Sequence, residues 1–71
     1  MLIEAFILRN RNGNRFYAIH PITGGRYETY RLKEAKIFNN ENDATEHLLS
    51  NQDTVFLKDY FVFAIMLQPP S

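Results

Sequence analysis

Residues 2–20 read LIEAFILRNRNGNRFYAIH, and this stretch decides the fold. Leu2 to Arg9 alternates as a strand does. Ile3, Ala5 and Ile7 fall on one face, and Leu2, Phe6 and Leu8 share the other with Glu4. Both faces are partly apolar. That marks a central strand, or one whose second face is covered by another chain. Asn10 to Asn14 is a turn, in which Asn12-Gly13 supplies the positive-φ residues of a hairpin. Arg15 to His20 is the returning strand.

Working outward, Pro21 to Gly25 forms a second turn that ends in Gly24-Gly25. Arg26 to Leu32, rich in Tyr and Thr, predicts a third strand. Tyr27, Thr29 and Arg31 would face one way, and Glu28, Tyr30 and Leu32 the other. Lys33 to Phe38 reads as either a short strand or an anchored loop. Asn39-Asn40 offers N-caps for a helix over residues 41–50, and Glu41 and Asp43 suit its positive end. Ala44 and Leu48 share a face beside His47, and Leu49 widens the stripe. Ser50 to Asp53 ends the helix. Val55-Phe56-Leu57 either extends the next strand or crosses the sheet. Tyr60 to Leu67 is a last strand, apolar on both faces and so expected in the interior. Residues 68–71 form a tail, because Pro69-Pro70 cannot continue a ladder.

The order β-β-β-α-β predicts a small α+β domain spanning residues 1–71: an antiparallel-dominated sheet of three to four strands with one helix on one face. A chain of 71 residues is one domain at most. Net stability at this size is about 3–5 kcal/mol. One short helix covers little of a sheet bearing ten aromatics, six Phe and four Tyr, so an uncovered face would need a partner. With no cysteine, disulfides and thiolate metal sites are excluded, and His20 and His47 cannot alone build a closed metal site. No cofactor is expected. Met1-Leu2-Ile3-Glu4 lacks the basic start and long apolar run of a signal peptide. The longest apolar run, Tyr60 to Leu67, is far below the roughly 18 residues that span a bilayer. The expectation is a cytoplasmic protein without membrane contact.

Charge is neutral in sum and divided in sequence. Residues 1–36 hold seven Lys and Arg against three acids, a net +4. Residues 37–71 hold Lys58 against five acids, a net −4. The acids gather around the helix start, where folding explains them. The bases gather with aromatics: Arg9, Arg11 and Arg15 around the first turn, Tyr17 after it, then Arg26, Tyr27, Tyr30 and Arg31. Arg and Tyr dominate interface energetics, so these eight are the candidate partner-binding residues. The two halves could also meet across the fold or across a dimer.

Catalysis would need a His beside a nucleophile and an orienting acid, and no motif supplies that context. Gly24-Gly25 has neither the GK[ST] nor the G-x-G-x-x-G setting of a phosphate loop. The chain is read as non-catalytic. Arg beside Tyr on strands also suits single-stranded nucleic acid, but zero net charge, Glu28 among the bases and the lack of an RNP-like motif weigh against it.

Leu32, Ala35, Phe38, Ala44 and Leu48 have the spacing L-x2-A-x2-F-x5-A-x3-L within LKEAKIFNNENDATEHL. This quarter of the chain resembles the strand-to-helix segment of small single-domain proteins encoded by tailed phages and other mobile elements. The resemblance implies a class: proteins that bind a host macromolecule, including inhibitors of CRISPR or other defence enzymes. It transfers no binding residue. The leading expectation is therefore a protein-binding inhibitor or modulator of a host enzyme, acting in the host cytoplasm by covering a surface. The alternatives are a nucleic-acid module using the Arg/Tyr face, and a structural homodimer joined through its last strand or an unpaired sheet face.

Overall fold

The computed structural model describes residues 2–50 and 55–68. Four strands and one helix follow in the order β1 (Ile3–Asn10), β2 (Phe16–Ile19), β3 (Arg26–Thr29), α1 (Glu41–Ser50) and β4 (Tyr60–Leu67). Short 3₁₀ turns at Leu32–Glu34 and Val55–Asp59 lead into the helix region and into β4. The sheet is antiparallel, with spatial order β3-β2-β1-β4. This is the small α+β fold expected from the pattern of elements.

β1 lies inside the sheet, between β2 and β4, as expected. It pairs with β4 over eight unbroken positions, from Ile3 with Leu67 to Asn10 with Tyr60. Its other side is shared. β2 pairs with it at Arg9 and Phe16. Further along, Phe6 and Phe38 exchange both backbone bonds, at 3.0 and 2.8 Å. Lys36 N–H donates to the Tyr17 carbonyl at 2.9 Å, so residues 36–38 fill the space that β2 leaves beside β1.

One sheet face carries the main core. Leu8, Tyr17, Phe38, Ala44, Leu57 and Tyr60 are buried together, with Phe6, Ile19, Leu48 and Val62 packed against them. α1 lies on this face because Ala44 and Leu48 fall four apart on one side. Its start is capped as expected: Asn40 Oδ1 accepts the Asp43 N–H at 2.8 Å. Alternation places Ile3, Ala5, Ile7 and Arg9 of β1, with Phe61, Phe63, Ile65 and Leu67 of β4, on the opposite face.

The structure corrects four expectations. β4 is an edge strand, not an interior one: apolar faces report what lies above and below a strand, not what pairs beside it. β3 stops at Thr29. There the Thr29 hydroxyl accepts the Arg31 N–H at 3.1 Å and turns the chain, so Tyr30 to Leu32 leave the sheet. The first turn uses no positive φ, since Gly24 alone among the described residues has one, at 73°. Asn10 Oδ1 instead accepts the Asn12 N–H at 2.8 Å, a side-chain-closed turn that needs no left-handed residue. Leu49 is exposed and does not widen the helix stripe. The ends assigned to Ser50–Asp53 and to the tail fall largely outside the described residues.

Candidate interaction surface

The eight candidate residues do not share one face. Tyr17 is fully buried in the core and is no surface anchor. Its hydroxyl meets His47 Nε2 at 2.7 Å. Burial raises the Tyr17 pKa and lowers that of His47, with Arg26 and then Lys36 adding to the latter. The phenol therefore stays protonated beside a neutral imidazole, and the two share one hydrogen bond. The His47 ring also packs against Phe38, at 5.3 Å between centroids.

Two arginines serve the fold. Arg9 lies over the Phe63 ring, 5.0 Å from its centroid, and donates to Asn14 Oδ1 at 2.9 Å. Arg15 pairs with Glu28 at 3.5 Å, and Glu28 also accepts the Tyr60 hydroxyl at 2.5 Å. These contacts anchor Arg15 in a sheet-spanning chain from β4 to β3. Arg11 is exposed at the hairpin tip, where it lines a depression with Leu48, Leu57, Lys58 and Tyr60.

The other four lie on or just past β3, the short edge of the sheet: Arg26 and Tyr27 on the strand, Tyr30 and Arg31 beyond its end. Arg26 is exposed on the strand, with its charge felt by Tyr17 and His47. Tyr27 is half-buried, meets the His20 ring at a tilt with 6.5 Å between centroids, and donates to Glu34 at 3.5 Å. Tyr30 is 77% exposed. Arg31 is exposed and pairs with Glu34 at 3.8 Å. An exposed ion pair of this kind is worth about 0–1 kcal/mol, so its guanidinium is readily given to a partner.

The sequence reading missed two members of this edge. Ile22 is 88% exposed, the most exposed of the large apolar residues described. The signal was there: a β-branched apolar residue inside a turn of Pro, Thr and Gly serves no turn geometry. His20, whose Nδ1 accepts from the N–H groups of Ile22 and Thr23, holds that turn. Between the turn and residues 33–34 lies a depression of about 490 Å³ lined by Ile19, His20, Pro21, Tyr27, Lys33 and Glu34.

The chain matches no known family model, no curated protein and no solved structure. Among the described residues, no helix is long and apolar enough to cross a membrane. Among the same residues, no group of three or more His, Cys, Asp or Glu is placed to hold a metal ion.

Proposed function

We propose that this chain is a non-catalytic protein-binding module whose partner docks on the β3 edge. The observation that carries this reading is the exposure of Ile22 in the turn before β3 and of Tyr30 just past its end, with Arg26 on the strand and Arg31 beyond it. Tyr and Arg are enriched among interface hot spots, and Tyr27 also lines the depression next to the turn. Folding explains little of their placement: neither Tyr30 nor Ile22 contributes to the core.

The resemblance of residues 32–48 to small phage and mobile-element proteins supplies the class of partner, an enzyme of the host cell whose working surface would be covered. The nucleic-acid alternative loses ground on geometry. It needs several aromatic platforms beside cations on one face. Tyr17 is buried, Tyr27 is engaged with Glu34, and Arg9 and Arg15 are held by structural contacts. Binding of single-stranded DNA or RNA at low salt, weakening steeply as salt rises, would restore that alternative. Loss of a captured host protein on Tyr30→Ala with Arg31→Ala supports the protein-binding reading.

A further inference from the structure

The two edges of the sheet are built differently. β3 is four residues long and carries Arg26 and Glu28, devices that blunt an edge. β4 is eight residues long, YFVFAIML, with no charge, no proline and an unbroken register to β1. Natural sheets rarely leave such an edge open.

The direction of its hydrogen-bonding groups follows from β1. Phe6 spends its N–H and C=O on Phe38, on the side away from β4. Phe6 and Ala64 are thus a non-hydrogen-bonded pair, and Ala64 also points its backbone groups outward. By alternation Val62 and Met66 do the same. Among the described residues nothing else pairs with this edge.

We infer that a second copy of this chain covers β4, antiparallel, with a two-fold axis at Ala64. Ala64 then exchanges two bonds with its own copy, and Val62 and Met66 exchange two with each other's copies at each side. Three observations favour a copy over a foreign strand. Exposure rises along β4 from Tyr60, at 2%, to Met66, at 55%. An antiparallel copy lays the well-supported start of one strand beside the exposed end of the other: Met66 beside Val62, Leu67 beside Phe61, Ile65 beside Phe63. The residue on the axis is the smallest of the strand. No like charges oppose each other, because the strand has none. The pairing also closes. The eight-stranded sheet ends on two β3 edges, which are short and charged, so the contact is isologous and stops at a dimer. The dimer uses the edge opposite the proposed partner site and leaves both β3 edges open.

The test combines light scattering on a sizing column, from micromolar to millimolar protein, with residue-resolved amide exchange. The wild-type chain should approach twice the 8.4 kDa chain mass. The amides of Val62, Ala64 and Met66 should become protected as it does so. Ala64→Lys places two cations on the axis. It should abolish the dimer and that protection, while the amides of Phe61, Phe63 and Ile65, which face β1, stay protected and report an intact fold. A wild-type chain that keeps the single-chain mass, with fast exchange at Val62, Ala64 and Met66, overturns the inference. So does a dimer that survives Ala64→Lys, or protection of those amides that appears only when a different protein is added.

Discussion

The Tyr17 hydroxyl and His47 Nε2 share a hydrogen bond of 2.7 Å that ties the middle of the sheet to the helix that covers it. Tyr17 is buried with Phe38 and Ala44, and the His47 ring packs on Phe38, so the bond is a fixed point of a thin core. Tyr17→Phe leaves the imidazole nitrogen without this partner and should cost about 1–3 kcal/mol. Against a net stability of about 3–5 kcal/mol, that is a large fraction. Urea denaturation at neutral pH measures it as a lower midpoint with an unchanged slope.

The same pair makes stability depend on pH. The His47 pKa is lowered by burial first, then by Arg26 and Lys36, while Asp43 and Glu46 line the depression beside it. Above the unfolded value of 6.5, His47 is neutral in both states and its contribution is complete. As pH falls through 6.5 the unfolded chain takes the proton first, and stability drops until the folded pKa is passed. Urea midpoints taken across this range should slope downward toward acid, and His47→Gln should remove His47's share of that slope. An identical slope in both proteins would exclude His47 as its source.

Tyr60 provides the alkaline counterpart. Burial raises its pKa above 10, helped by the hydrogen bond to Glu28 and by that carboxylate's charge. The unfolded chain ionises first, so stability should be lost as pH climbs past 10. Tyr60→Phe should abolish this share of the loss. At neutral pH it should cost about 1.5–3 kcal/mol, because the bond is to a charged acceptor. Phenolate absorbance should show Tyr60 titrating above the ordinary tyrosine value of 10.

The two turns separate cleanly by mutation. Gly24 holds φ at 73°, so Gly24→Ala should cost roughly 1–2 kcal/mol through backbone strain alone. Gly13 has no positive φ, and an added Cβ would meet only Arg15 Nε at 3.9 Å. Gly13→Ala should be near neutral. Thermal midpoints of the two variants compared with wild type decide this. Equal losses would mean that the first turn does use a left-handed residue.

How far the fold was readable follows from the same residues. β1, the hairpin and α1 were legible because alternation, an Asn-rich turn and an Asn cap are local signals, and the turn and the cap are realised by local bonds at Asn10 and Asn40. The edge position of β4 was not legible. Side-chain pattern reports the two faces of a strand, whereas lateral order depends on long-range pairing with β1. The early end of β3 turned on one Thr29 hydroxyl competing for the Arg31 N–H, which no periodicity shows. Among the candidate residues, Arg26 and Tyr27 do fall on the β3 edge, and Tyr30 and Arg31 follow just past its end. Tyr17 could not be told from them in sequence, since a tyrosine suits a core with a polar partner as well as a surface. His47, its partner, lies thirty residues away.

The protein-binding reading rests on the β3 edge, and capture from host-cell lysate tests it most directly. Wild-type chain, a Tyr30→Ala with Arg31→Ala variant, and Ala64→Lys would be immobilised in parallel, with bound proteins quantified by mass spectrometry. The account predicts one host protein enriched by wild type and by Ala64→Lys, and lost with the β3-edge variant although that variant stays folded. Equal enrichment by the β3-edge variant, or no protein enriched above an unrelated control chain, would contradict it.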